Sequence, residues 1–195
     1  MKKNLLFSVV MLLMATLFIA VMPTEAEGAV YEDTVRLHIL APSDSKEDQA
    51  LKLTVRDAVL DKFGRELSSY GSAKEAAEEL IAVLPEIEAL ATKIASDFGY
   101  DATATLEREW FETREYGEYT LPAGEYLSLR IIIGEGRGQN WWCVMFPPLC
   151  LDVATESTPC DDAIKKYSDE EFVLITGEGY RAKFKILELI STAFS

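Results

Sequence analysis

An α+β fold is expected for this 195-residue chain: a mostly antiparallel sheet with N-terminal helices packed on it, preceded by an N-terminal signal or anchor segment. Three observations predict it. An unbroken apolar run from Leu5 to Met22 follows Lys2 and Lys3. Apolar side chains recur at helical spacing between residues 46 and 98. After Gly99 the period shortens to alternation, which is the mark of strands.

The first run ends at Pro23 and is followed by small residues, so that Thr24-Glu25-Ala26 or Ala26-Glu27-Gly28 suits a signal peptidase. Positive start, apolar middle and small-residue end read as a secretory signal. The alternative is an uncleaved anchor, since 18 residues from Leu5 to Met22 are long enough to span a bilayer. Either way the lysines stay inside and everything after Thr24 is exported. No Cys follows the run closely, which argues against a bacterial lipid anchor. Residues 1–26 are therefore expected to be an address, and 30–195 a single extracytoplasmic domain.

Val35-Arg36-Leu37-His38-Ile39-Leu40 alternates and predicts a strand buried on its Val35, Leu37 and Ile39 side. After the turn at Ala41-Pro42-Ser43-Asp44, Ser45 with Asp48 resembles a capping box. A helix follows from about Lys46 to Phe63, with Leu51, Val55, Ala58 and Val59 as its core stripe and Gly64 as its stop. Ser72 with Glu75 starts a second helix carrying Ala73, Ala77, Leu80, Ile81 and Leu84 on one face. Pro85 is expected to begin a third helix, with Ile87, Leu90, Ala91, Ile94 and Phe98 on its stripe before Gly99. Glu75, Glu78, Glu79, Glu86 and Glu88 fall outside the stripes and read as a solvated face. Strands are expected over Asp101 to Phe111, Tyr126 to Ile133 and Asn140 to Phe146, the last two joined as a hairpin by Gly134-Glu135-Gly136-Arg137-Gly138. A weaker strand, Phe172 to Thr176, and a helix from about Tyr180 to Ala193 close the chain.

Thirty-three acidic side chains against 19 basic give a net charge of −14. A surface of that sign excludes nucleic acid as a partner and adsorption to anionic lipid. Membrane contact is expected only through the N-terminal segment or a receptor. The hydrophobic share of 49% excludes disorder.

Three cysteines and one histidine bound the chemistry. Cys143 and Cys150 flank Pro147-Pro148, and a disulfide between them leaves Cys160 over; three pairings exist. His38 with Cys143, Cys150 and Cys160 matches no zinc-finger or ribbon spacing, so no metal and no cofactor are expected. A Cys–His hydrolase would need Cys143 or Cys150 as thiolate and His38 as base, with Asp44 or Asp48 orienting the ring; Cys143 with His38 is the leading pair. The plainer reading gives His38 one structural hydrogen bond. The triple glycine at 134, 136 and 138 follows a strand but leads into Trp141-Trp142-Cys143 instead of a helix N-terminus, which fits a turn and not a phosphate loop. Trp141 and Trp142 are adjacent in a strand and so point to opposite faces; one is expected in a core and the other free to anchor a partner, unless both faces are covered.

Three stretches also carry a resemblance. They are Arg36-Leu37-His38-Ile39-Leu40-Ala41 continuing through Asp44-Ser45, Asp48-Gln49, Leu51-Lys52-Leu53 and Val55-Arg56-Asp57-Ala58-Val59; Tyr119 to Tyr126; and Gly138-Gln139-Asn140-Trp141-Trp142-Cys143 on to Cys150. From about Val35 to Asp152 the chain resembles the stage II sporulation protein R family of endospore-forming bacteria. The resemblance implies a secreted signal, made by the forespore and exported into the space between the two sporulating-cell membranes. There it is needed to activate a membrane-embedded aspartic protease in the mother cell, which removes the pro-sequence of the sporulation sigma-E factor. The catalytic aspartate would belong to that partner, and no catalytic residue carries over to this chain. His38, Arg56, Trp141 and Trp142 are the candidates for partner binding.

Overall fold

In a computed structural model, which describes residues 2–22, 24–149 and 161–177, strands and helices mix as expected around a mostly antiparallel sheet. Helix α1 (Lys2–Val21) stands apart from the core. Its apolar side chains are exposed, Leu5 and Phe7 each at 68%. Among the described residues, which leave out the side chains at 2, 17 and 19–21 of α1, no helix is long and apolar enough to cross a membrane. Helix α2 (Glu25–Glu32) starts at a capping box in which Thr24 and Glu27 satisfy each other's backbone N–H. Through Val30 it joins the core. Cleavage after Ala26 or Gly28 would cut inside this helix.

Strands β1 (Val35–Leu40), β2 (Ala102–Phe111), β5 (Gly124–Ile133) and β6 (Asn140–Phe146) form one sheet in the order β2-β5-β1-β6. β1 runs parallel to β5 and antiparallel to β6, while β2 and β5 are antiparallel. The expected hairpin between β5 and β6 is therefore not one: β1 lies between them. Gly134 and Gly136, at φ of 57° and 61°, turn the chain where a side chain would be strained. The loop then crosses the end of β1, where Gly138 N–H donates to the Ala41 carbonyl at 2.9 Å. Alternation alone cannot distinguish two strands that pair from two that share a neighbour.

Helix α3 (Lys46–Val59) begins at Ser45, whose side chain accepts from Asp48 N–H. Gly64 does not stop it. The chain passes through a π turn (Leu60–Gly64) into α4 (Arg65–Leu67), with Gly64 itself helical at φ −64°. Phe63 and Leu67 extend the buried stripe of Leu51, Val55 and Val59, and that packing outweighs the glycine's preference to end a helix. Helix α5 (Ala73–Ser96) likewise runs unbroken through Pro85. Its buried positions, Ala73, Ala76, Leu80, Ile87, Ala91 and Ala95, keep one helical phase across the proline, which faces solvent. Ile81, at 62% exposure, and Phe98, at 53%, lie off the stripe on which they were expected. The acidic face is solvated as read, and three of its side chains also find partners: Glu75 accepts the Gly71 N–H, Glu86 pairs with Lys62 and Glu88 accepts the Ala104 N–H at 2.9 Å.

β1 is buried on both faces, against the expectation of one. Its second face is covered by a hairpin absent from the sequence reading, β3 (Arg114–Tyr116) with β4 (Tyr119–Leu121); of the helices that follow, α6 (Asp161–Ile164) and α7 (Asp169–Thr176), α7 packs on α2 and β4. Arg36 is fully buried there. Its guanidinium lies 4.1 Å from the Phe111 ring centre and 4.9 Å from that of Tyr126, and donates to the Tyr116 hydroxyl at 2.6 Å. Three rings thus supply the electron-rich surround that a carboxylate would otherwise provide. α7 replaces the strand expected over Phe172 to Thr176; Ser168 and Glu171 form a capping box, a start signal that outweighs the β-prone Phe-Val-Leu-Ile-Thr run. The helix expected from Tyr180 lies outside the described residues.

Candidate functional site

β6 ends the sheet, and a cleft of about 630 Å³ opens beside its first residues. α3 forms one wall through Gln49, Lys52 and Leu53; the β3–β4 hairpin forms the other through Arg114 and Tyr116. Trp141 and Trp142 both line it, each half-buried. Neither is core and neither is free. Being adjacent, they flank opposite faces of the sheet, so one indole meets the helix wall and the other the hairpin wall.

Register decides each indole's neighbours. His38 is the cross-strand partner of Trp142, and the two rings stack with centroids 3.6 Å apart and planes 18° off parallel. Phe111 meets the Trp142 ring edge-on at 4.9 Å. The imidazole, 4% exposed, is held from behind by Glu109, whose Oε1 lies 3.1 Å from Nδ1. Arg130 Nε is 3.4 Å from the same carboxylate oxygen. On the other face, the Arg56 guanidinium lies 4.4 Å from the Trp141 ring centre and is paired with Asp57 at 2.6 Å. All four expected partner-binding residues, His38, Arg56, Trp141 and Trp142, are thus gathered at one end of β6. His38 contributes as a support beneath Trp142 and not as a contact surface.

The entry to β6 is tied down by the loop after β1. Gln139 N–H donates to Asp44 Oδ1 at 2.7 Å. Lys52 Nζ donates to the Gln139 carbonyl at 2.7 Å and to Gln49 Oε1 at 2.6 Å. Ser43 Oγ donates to Asp48 Oδ2 at 2.5 Å. Burial lowers the Lys52 pKa, with Asp44 opposing and Arg56 adding to the fall. Two of the three resembling stretches, distant in sequence, therefore build one corner of the molecule. Lys52, Arg114 and Glu109 were not among the expected site residues. Lys52 was legible as a polar position beside an apolar stripe, inside one of the resembling stretches, and Glu109 only as one acid among 33.

The Cys143–His38 pair is not assembled. Cys143 is the cross-strand partner of Leu37, so its side chain shares Leu37's face, while His38 points to the other. Cys143 is moreover 2% exposed and disulfide-bonded. Its partner cysteine, Cys150 or Cys160, lies outside the described residues. Among the described residues no three His, Cys, Asp or Glu side chains converge as metal ligands. Asp44 and Asp48, proposed as orienters of His38, instead bind the β6 entry and Ser43.

Burial pushes the Glu109 carboxyl up, but the His38 hydrogen bond, the nearby Ser128 hydroxyl and the His38 and Arg130 charges outweigh it, so its pKa lies below the ordinary value. A folded-state pKa below the unfolded one means that ionised Glu109 adds stability above the unfolded pKa, and that this is lost as pH falls through the folded value. Glu109→Gln should therefore lower the urea midpoint at neutral pH, with the wild-type and variant midpoints converging in acid. A gap that does not change with pH would assign the loss to packing alone.

Comparison with known proteins adds the lineage. No solved structure matches this chain. Stage II sporulation protein R of Bacillus subtilis (strain 168) is 35% identical over 185 residues, covering 84% of this chain and 83% of that protein. The family model described as Stage II sporulation protein R matches residues 31–156, a span that holds β1, α3, the β3–β4 hairpin and β6, and with them every wall of the cleft. The chain belongs to the stage II sporulation protein R family.

Proposed function

We propose that this chain is an exported, non-enzymatic signal of sporulation. It leaves the forespore for the space between the two cell membranes. There it activates the membrane-embedded aspartic protease that processes the pro-form of the sporulation sigma-E factor in the mother cell. Family membership supports the sporulation role. The observation that carries the activator reading is the open cleft, where two indoles backed by fixed neighbours meet the end of a sheet. Large, rigid aromatic groups of this kind dominate binding energy at protein interfaces. The exported-hydrolase alternative has no comparable support, because the sheet separates Cys143 from His38.

An activator of this type works by binding one arrangement of its receptor more tightly than another, and its effect is limited to that difference in affinity. The pre-set geometry of the cleft serves this end, since side chains already ordered lose little entropy on binding. The test is reconstitution. Full chain is added to liposomes holding the protease and its sigma-factor precursor, and cleavage is followed against its concentration. Stimulation should saturate with receptor. Trp142→Ala and Trp141→Ala should each raise the half-maximal concentration by about tenfold or more in protein that circular dichroism shows to be folded. Folded wild type that gives no stimulation would sink the activator reading.

A further inference from the structure

We propose that the cleft takes a short extended segment of the partner, carrying acidic side chains at alternate positions, which adds as a fifth strand along the Asn140–Trp142 end of β6. The proposal rests on reading the cleft as the partner-contact face and states what the partner presents there. Three observations carry it. The sheet ends at β6, and among the described residues no strand pairs with the outer side of residues 140–142. An outer strand offers backbone donors and acceptors to any extended chain that reaches it. Secondly, the cleft runs beside that edge between two walls, α3 and the hairpin, which match the two faces to which a strand's side chains alternately point.

The third observation is chemical. Arg114 stands exposed at the rim, 5.8 Å from the Trp142 ring centre, and makes no ion pair among the described residues. Lys52 lies on the opposite wall, its ammonium held by Gln139 and Gln49, so that it adds positive charge to the slot while Arg114 is the cation free to pair. Against them the cleft lining holds one acid, Glu115, while Asp57 is taken by Arg56. In a chain of net charge −14, a cationic and aromatic slot selects against more copies of the same protein and in favour of an acidic partner. Side chains pointing toward the hairpin would be the acids, meeting Arg114. Those pointing toward α3 would be apolar, meeting Leu53 and Trp141.

The probe is a fluorescein-labelled Glu-Val-Glu-Val-Glu-Val peptide, titrated into the full chain in mild detergent and followed by anisotropy. Two companions are used: the same peptide N-methylated at alternate residues, which removes backbone donors and keeps every side chain, and a Lys-Val counterpart. The Glu-Val peptide should bind, N-methylation should weaken it by about tenfold or more, and Lys-Val should not bind. Arg114→Glu should weaken Glu-Val binding by about fivefold or more, with the far-ultraviolet spectrum unchanged. Equal binding by plain and N-methylated peptides, equal binding by Lys-Val, or no binding by Glu-Val overturns the proposal. Receptor activation that is lost in Trp142→Ala while N-methylation has no effect would remove strand addition and leave the contact face. Activation untouched by either tryptophan substitution would remove the contact face itself.

Discussion

Replacing Cys143 with serine should lower stability by about 2–5 kcal/mol, the usual cost of losing a native disulfide from a small domain. The position makes the loss hard to absorb. Cys143 is 2% exposed in the middle of β6 and opposes Leu37 on the helix-covered face, so serine would also place a hydroxyl in an apolar layer. Urea unfolding of the full chain measures the effect, with Cys150→Ser and Cys160→Ser beside it. The pairing expected from the sequence makes Cys150→Ser equally damaging and Cys160→Ser nearly neutral; the reverse result would assign the bridge to Cys160. Reductant should bring wild type down towards the Cys143→Ser midpoint, stopping short of it by the cost of the buried hydroxyl, and leave that variant where it is. A Cys143→Ser protein as stable as wild type, with no response to reductant, would show that the bridge contributes nothing.

Gly138→Ala is the second large effect. A Cβ at this position would stand 2.2 Å from the Ser43 carbonyl oxygen and 2.5 Å from its carbon. Both are backbone atoms, so no rotamer change relieves the clash, and either the loop after β1 or the entry to β6 must move. Overpacking of this kind costs about 1–3 kcal/mol, and each kcal/mol lowers the melting temperature by roughly 2–4 °C in a chain of this size. The damage should reach the cleft, because the same segment carries the Asp44–Gln139 and Lys52–Gln139 hydrogen bonds. Glu-Val peptide affinity and melting temperature should therefore fall together. Gly28→Ala is the control: nothing lies within 4 Å of its Cβ, and the change should leave stability within about 0.5 kcal/mol or raise it slightly. If Gly138→Ala melted like wild type, the close approach of the two loops would not exist in solution.

Much of the local structure was legible because it obeys local rules. β1 and β6 fall where alternation placed them, and Ser45 and Ser72 cap the helices that they were expected to cap. The misreadings share one cause. Gly64, Pro85 and the Phe172–Thr176 run each carry a strong local preference, and each was overridden, the first two by a continuous buried stripe and the third by the Ser168–Glu171 cap. Arg36 is the sharpest case. Alternation put it on the side of β1 opposite the one expected to be buried, whereas Phe111, Tyr116 and Tyr126, from three other strands, close around it. No pattern within β1 encodes that enclosure.

The candidate site divides in the same way. Single residues of it, Trp141, Trp142, Arg56 and His38, stand out in the sequence by type and by the stretches that resemble the family. What they do depends on partners that sequence proximity does not supply. Insertion of β1 between β5 and β6 sets the register that stacks His38 under Trp142, puts Cys143 on the opposite face and leaves β6 as the outer strand. By itself, the sequence determined most of the elements before Phe146, the family and the residue types available for binding, because periodicity, caps and motifs are properties of neighbours along the chain. The tertiary structure alone decided which side of the sheet each residue faces, which strand is left at the edge and where a cleft opens, because strand order and register arise from contacts between distant segments.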